Sequence, residues 1–554
     1  RDIGVGAPGA ADNLVRLRAW LGPDASAQNL ALIAEFVSIA LGPDEVRPAL
    51  PPDRKRQLMR EIVLRHIEQR CVFGPVLLLV EDAHWMDGAT EQFLVDLFAR
   101  MADRPVLALV STRPRRVCHW ANASVASEIH LEPLGRADAE RLIGHSCREH
   151  PLPPALVDEI LARTDGVPLF IEELTAMILE SGLLRRGTDG LVLNEPLPAL
   201  DIPSTLRDSL TARLDRLADI KGIARVASAI GREFTFTLLA QVSQEPAERL
   251  VAALDRLVEA RLLFRRGEGP QASYVFKHAL VQQAAYDSQL RSDRQALHAR
   301  IVRAIETHQP EIARSEPGLM AHHCQLAGDI DREVDYLHAA GVASTRIVAI
   351  TEALSYFSRA EVAVARLEQT GRNLTRHIEI ILGMMEVGRF AILPSQLRAL
   401  SERAREMSLR DGVTCDAAMT AAILFQDARA NVYSSRYAQA RSMFQDIRQL
   451  GRDHDSVAIE RKPASAFAMG LCCQGLFGET LEFVNPANID YYKESGSFID
   501  YISALGWIGY ASCQTGAGDD GLRHAHLSVQ EAEQVHSQIY LAGAYIWRSH
   551  AMMT

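Results

Sequence analysis

Val76-Leu77-Leu78-Leu79-Val80-Glu81-Asp82-Ala83-His84-Trp85-Met86-Asp87 is the stretch on which the fold turns. Five consecutive aliphatic residues with no polar alternation predict a strand buried on both faces of a parallel sheet. The run ends in paired carboxylates, which such a strand delivers to the crevice where α/β sheets bind ligands. Downstream, the pattern predicts a helix over Thr90 to Met101 and then a second apolar run, Pro105-Val106-Leu107-Ala108-Leu109-Val110, ending in Ser111-Thr112-Arg113-Pro114. Strand, helix, strand in this rhythm implies a parallel pair.

Glu81 and Asp82 are the candidate metal-binding and catalytic acids. Phosphoryl transfer needs charge neutralisation and positioning more than covalent chemistry, so one carboxylate would hold Mg²⁺ and the other orient the attacking water. The plainer reading is that two acids merely terminate a buried strand; His84, Trp85 and Asp87 beside them favour the first. His84 reads as a structural histidine, Trp85 as packing, and Asp87 as the cap of the following helix. Arg113, at the end of the neighbouring strand, either contacts a γ-phosphate or is a surface arginine. The phosphate loop that usually accompanies such acids, G-x-x-x-x-G-K-[ST], occurs nowhere in the 554 residues. Gly4-Val5-Gly6-Ala7-Pro8-Gly9 matches G-x-G-x-x-G literally, but no strand precedes it and Pro8 removes a backbone N–H that a phosphate would need.

A chain of 554 residues predicts three or four domains. With 48% apolar and 23% charged residues, and no apolar run long enough to span a bilayer, it reads as globular and cytoplasmic, with no membrane partner. A net charge of −11 argues against a nucleic-acid-binding surface spread over the molecule. The eight cysteines form no CxxC pair and read as reduced thiols, adjacent Cys472 and Cys473 included. The opening at Arg1 looks like the interior of a longer protein, with the missing part upstream.

From Leu134 the strand patterns cease and helices with 3.6-residue apolar spacing follow, a helical lid on the core. Gly166-Val167-Pro168-Leu169-Phe170 punctuates them, placing Pro168 against an adenine or forming an ordinary interhelical turn. Beyond Ile202-Pro203-Ser204-Thr205-Leu206, four helices precede strand-like pieces at Leu262 to Arg265 and Tyr274 to Lys277, which suggests a winged helix. Its would-be reading helix, Pro246 to Ala260, mixes Glu248, Asp255 and Glu259 with Arg249 and Arg256, so DNA is disfavoured as a partner. His278 is a candidate latch to bound nucleotide, against a core or capping histidine. After about residue 290 the chain is helix-compatible throughout. A tetratricopeptide-like spacing of bulky and small residues recurs at Tyr437, Ala440, Phe444, Ile447 and at Leu522, Ala525, Val529, Ala532. Looser copies fall at Ile330, Glu333, Leu337, Ala340, at Ile350, Ala353, Phe357, Ala360 and at Phe477, Thr480, Val484, with a generic helical array as the alternative.

The segments Leu77 to Asp87, Ser111 to Pro114, Asp165 to Leu174, Ile202 to Leu206, Ala212 to Leu217, Ile230 to Phe234 and Phe276 to Tyr286, in that order, resemble the regulatory part of bacterial class III adenylate/guanylate cyclases. In that family the cyclase is fused to an AAA-like ATPase of the STAND class, the signal-transduction ATPases with numerous domains, and to tetratricopeptide repeats. The resemblance covers about residues 1 to 360. It implies ATP/ADP and Mg²⁺ as cofactors, Glu81 and Asp82 as metal-binding and catalytic acids, Arg113 as a phosphate sensor, Pro168 near the base and His278 near the nucleotide, although the motif around His278 differs.

The expected fold is therefore multidomain α/β plus α. It comprises a partial P-loop NTPase parallel sheet over 1–132, a helical lid over 133–200, a winged-helix-like domain over 201–288 and a TPR-like superhelix over 289–554. The expected function is nucleotide-dependent regulation: ATP/ADP state gates an N-terminal cyclase-like output domain of the parent chain, and the repeats bind protein partners. The alternatives are a STAND-type transcriptional regulator with its DNA-binding domain outside these residues, and a repeat scaffold with an inactive ATPase. Lacking a phosphate loop and a cyclase domain, these residues alone are not expected to turn over nucleotide.

Overall fold

A computed structural model describes residues 10–22, 26–36, 52–86, 88–113, 127–147, 152–180, 184–186, 191–193, 210–211, 214–215, 217, 219–267, 272–346, 349–388, 391–495, 497–535 and 538–553. Pro114, Asp87, Cys118 and the glycines of residues 4–9 lie outside them. The chain divides into two compact units, one of residues 1–125, 315–322 and 330–554, the other of residues 126–314 and 323–329.

The first unit opens with helices α1 (Ala10–Leu21), α2 (Ala27–Phe36) and α3 (Pro52–Phe73), whose Leu17, Leu21, Leu30, Ile33 and Ile62 form a small core. Then come β1 (Val76–Val80), a 3₁₀ turn (Ala83–Trp85), α4 (Gly88–Met101) and β2 (Val106–Val110). The strands pair in parallel, Val76 opposite Val106 through Val80 opposite Val110, as the strand–helix–strand rhythm predicts. Val76, Leu78, Val80 and Val106 pack on Leu64 and Ile67 of α3 and on Leu94, Leu97 and Met101 of α4. Burial on both faces, however, does not hold. Leu77, Leu79, Leu107 and Leu109 remain 62%, 64%, 60% and 48% exposed, because among the described residues helices cover one face of this two-stranded sheet and leave the other open.

The second unit begins with α5 (Arg136–Ser146), α6 (Pro154–Thr164) and α7 (Pro168–Glu180), joined around Ile143, Leu156, Ile160, Ile171 and Leu174, and the short antiparallel pair β3 (Leu184–Arg186) and β4 (Leu191–Leu193). A second core gathers α8 (Lys221–Ile230), β5 (Glu233–Thr235), α9 (Phe236–Ser243), α10 (Ala247–Glu259), β6 (Leu263–Arg266), β7 (Ser273–Phe276) and α11 (Ala279–Asp287) around Phe234, Leu254, Tyr274 and Phe276. The sheet has the order β5-β7-β6 and is antiparallel throughout. Thr235 caps α9 by accepting from the Leu238 amide. Helices α12 (Arg291–His308), α13 (Pro310–Ser315) and α14 (Pro317–Ala327) follow, residues 315–322 counting with the first unit.

The rest of the first unit is helical: α15 (Ile330–Arg346), α16 (Ile350–Val364), α17 (Gly371–Gly388), α18 (Pro394–Ser408), α19 (Ala417–Tyr433), α20 (Tyr437–Asp453), α21 (Val457–Arg461), α22 (Ala464–Cys472), α23 (Phe477–Phe483), α24 (Pro486–Glu494), α25 (Phe498–Gln514), α26 (Gly518–Val535) and α27 (Gln538–Met552). Short links make consecutive helices neighbours, and the bulky and small positions read from sequence fall on the seams. Ala440, Phe444 and Ile447 are buried, as are Ala525, Val529 and Ala532, Leu337 and Ala340, Ala353, Phe357 and Ala360, and Thr480 and Val484. The Phe357 ring fits where α15 and α17 present Gly341 and Gly383; a Cβ on either glycine would come within 2.8 Å of that ring. Full burial of such a ring contributes about 2–3 kcal/mol. Glu333, the polar member of its repeat, is buried, and that burial raises its carboxyl pKa against the opposing pull of Arg366 and Arg359.

Candidate functional site

At the C-terminal end of β1 the chain turns sharply. Asp82 adopts the left-handed conformation, φ 54°, uncommon for a residue with a side chain. Ser111, the first residue after β2, holds this turn from both sides. Its hydroxyl accepts from the Asp82 amide at 3.0 Å, its carbonyl accepts from Ala83 N–H at 2.8 Å, and its own N–H donates to Val80 O at 2.9 Å. The two loops that end the strands are thereby stitched together, and Glu81, Asp82 and Arg113 share one end of the sheet. Glu81 and Arg113 are exposed and Asp82 is half-buried, with His84 Nδ1 at 4.0 Å from its Oδ1. Two carboxylates on a tight turn are hard oxygen donors suited to Mg²⁺, which completes its shell with water and phosphate oxygens. Among the described residues no group of three or more His, Cys, Asp or Glu could hold a metal.

Pro168 and His278 belong to the second unit. Pro168 is the exposed first residue of α7, entered through Asp165 and Gly166, both left-handed. Gly166 is needed there: its carbonyl accepts from Leu134 N–H, and a Cβ would lie 2.5 Å from Leu134 O. His278 stands at the N-cap of α11 without a side-chain cap bond, half-buried, its Nε2 without a hydrogen-bond partner among the described residues. Glu172 and Glu173 of α7, with Lys277 and Arg232, are its charged neighbours, and Lys277 pairs with Glu172 at 3.9 Å. Burial, reinforced by Lys277, lowers the His278 pKa and favours the neutral ring at neutral pH. His278 thus faces the helix that Pro168 begins. Sequence reasoning missed both Ser111 and the Glu172–Glu173 pair; the pair was visible four residues after Pro168, but a surface pair gives the same signal.

The arginines around α10 are engaged. Arg249 pairs with Glu245 and Arg256 with Asp219, while Arg265 and Arg266 of β6 pair with Asp255 and Glu233. A phosphate-tracking surface would need such groups unpaired. The seven described cysteines are free thiols; Cys472 is buried, its pKa pushed up to about 11 by that burial, while Cys473 is exposed. No described helix is long and apolar enough to cross a membrane.

No family model matches the chain. It is 28% identical over 385 residues, 68% of its length, to an uncharacterized protein of Rhizobium meliloti (strain 1021). The chain spans 37% of the length of that relative. Among solved structures, a STAND protein with a tetratricopeptide repeat sensor from Pyrococcus horikoshii overlays at a TM-score of 0.34 and 11% identity, covering 95% of this chain and 84% of that one. Aspartyl phosphate phosphatase F from Bacillus subtilis overlays at 0.34 and 13%, covering 63% and 80%. A Rap protein complexed with competence and sporulation factor overlays at 0.27 and 12%, covering 63% and 98%. At such TM-scores none of these overlays assigns a function.

Proposed function

We propose that this chain is the regulatory part of a signalling protein, in which a nucleotide site at the end of β1 and β2 acts with a protein-binding array of helical repeats. The observation that carries the nucleotide half is the parallel β1–α4–β2 unit, with Glu81, Asp82 and Arg113 at one end and Ser111 fixing the acidic turn. Glu81 and Asp82 would hold Mg²⁺ on ATP or ADP, Arg113 would meet the terminal phosphate, and Pro168 and His278 would contact the nucleotide from the lid and the winged-helix-like domain over 201–288. The order of helices and antiparallel strands in that domain supports the winged-helix reading. The output gated by this switch would be an N-terminal cyclase-like domain of the parent protein.

Nucleotide can act as a switch only by binding one conformation better than the other; a bias of about 3 kcal/mol shifts the balance more than 100-fold. Equilibrium binding of fluorescent Mg·ATP and Mg·ADP to the full-length parent, compared with its Glu81→Gln/Asp82→Asn variant, tests the site. Metal-dependent binding that falls at least tenfold in the variant is expected. Equal affinity in the variant would remove the acids from the metal site, and equal conformer populations with ATP and ADP would sink the switch. A protein-binding scaffold with a vestigial nucleotide fold is the second reading, favoured by the lack of a phosphate loop in these residues; failure of the parent to bind either nucleotide would favour it.

A further inference from the structure

In the turn after β1, Asp82 holds a left-handed φ of 54°, a conformation disfavoured for a residue with a Cβ and kept only where its surroundings fix it. Ser111 supplies two of the bonds that fix it. Its hydroxyl accepts from the Asp82 amide and its carbonyl from the Ala83 amide, while its own N–H extends the β1–β2 ladder to Val80 O. Arg113 lies two residues further along the same loop. We propose that Ser111 is a positioning residue that couples the acids to Arg113, so that a terminal phosphate held by Arg113 tightens the grip of Glu81 and Asp82 on Mg²⁺. This coupling rests on the nucleotide reading and adds to it a link between metal and phosphate.

The link follows from the shortness of the connection. Only Thr112 separates Ser111 from Arg113, and consecutive Cα atoms stand about 3.8 Å apart, so a shift of Arg113 towards a ligand has two peptide units in which to be absorbed before it reaches Ser111. Ser111 in turn does not move alone. Its N–H belongs to the ladder and both its oxygens hold the acidic turn. The reverse holds by reciprocity: what a bound phosphate gains from the metal, the metal gains from the phosphate.

Of the three bonds, the hydroxyl bond alone depends on the residue type. The ladder bond and the bond from Ala83 use the backbone of residue 111 and survive substitution, whereas the bond from Asp82 needs a side-chain acceptor on the Cβ, which serine and threonine have and alanine lacks. Without it the Asp82 amide turns to water and the turn relaxes from its left-handed conformation, so Glu81 and Asp82 are presented to one cation less often. His84, 4.0 Å from the Asp82 carboxylate, acts on the side chain and does not replace a bond to the amide.

Titration of Mg²⁺ into the full-length parent with fluorescent ATP tests the role. The half-saturating Mg²⁺ concentration should rise about three- to tenfold in Ser111→Ala, the range expected for one hydrogen bond, and Ser111→Thr should stay within about twofold of the wild type. ATP affinity without metal should change by less than about twofold in either variant, a result that a general loss of structure does not give. Should Ser111→Ala lose that affinity, Ser111→Cys decides, since it keeps the shape of serine with a weak acceptor and is expected to raise the metal requirement alike. Arg113→Ala should raise the metal requirement in the wild type but not further in Ser111→Ala. An unchanged metal requirement in Ser111→Ala, or fully additive effects of the two substitutions, overturns the coupling, and the nucleotide site then still stands if Glu81→Gln/Asp82→Asn weakens metal-dependent binding. No metal-dependent binding in the wild type, or none lost in the acid variant, removes the nucleotide reading and the coupling with it.

Discussion

Tyr492 carries its hydroxyl into the dry seam between α22 and α24, where it accepts from Ser465 N–H at 2.9 Å and can donate to Lys462 O at 3.0 Å or Arg461 O at 3.1 Å. Burial, then Asp500, raises its pKa well above the tyrosine norm, and burial followed by Glu531 pushes Tyr501 up to about 12. The folded state therefore holds these protons more tightly than the unfolded chain. Their contribution is fully present below the unfolded value, near 10, and is lost as pH rises above it towards the folded values. Denaturant midpoints measured between pH 8 and 11 should decline beyond pH 10, and Tyr492→Phe should decline less steeply while costing about 1–3 kcal/mol at neutral pH. An unchanged slope in the variant would show that Tyr492 does not ionise on unfolding. Nothing in the pattern around Tyr492 marked it, because its partners are backbone groups presented by helices elsewhere.

Among elements, the repeat helices end in a shared way. After α19, Ser435 is left-handed, Arg436 N–H returns to Asn431 O at 2.8 Å and Ser435 N–H to Val432 O at 3.0 Å. Asp455 after α20, Gly475 after α22 and Gly516 after α25 close their helices with the same pair of bonds. Two of the four turns lack the glycine that would have announced them. An L-residue in this conformation costs about 1–2 kcal/mol. Ser435→Gly is accordingly expected to raise stability by up to about 1 kcal/mol, read as a higher thermal midpoint; a lower midpoint would mean that the Ser435 side chain contributes more than its backbone strain costs.

In the whole molecule, the open face of the β1–β2 sheet stands out. Leu77, Leu79, Leu107 and Leu109 lie side by side on strands whose opposite face is already packed. Because these leucines bury so little within the chain, Leu77→Thr with Leu107→Thr should shift unfolding free energy by less than about 0.5 kcal/mol while reducing binding of an apolar-surface dye. A loss of several kcal/mol would show that the face is covered within this chain. The continuous aliphatic run suits a strand buried on both sides, and the described residues pack only one of them.

The sequence by itself determined the parallel strand pair, the succession of helices and many seam residues of the repeats, because periodicity and local propensity act within a few residues. It also placed Glu81, Asp82 and Arg113 at strand ends. Only the tertiary structure revealed the Ser111 stitch, the approach of His278 to α7 and the uncovered leucine face. Each depends on groups far apart in the chain meeting, or failing to meet, and a burial pattern states that a side chain seeks cover without saying what supplies it.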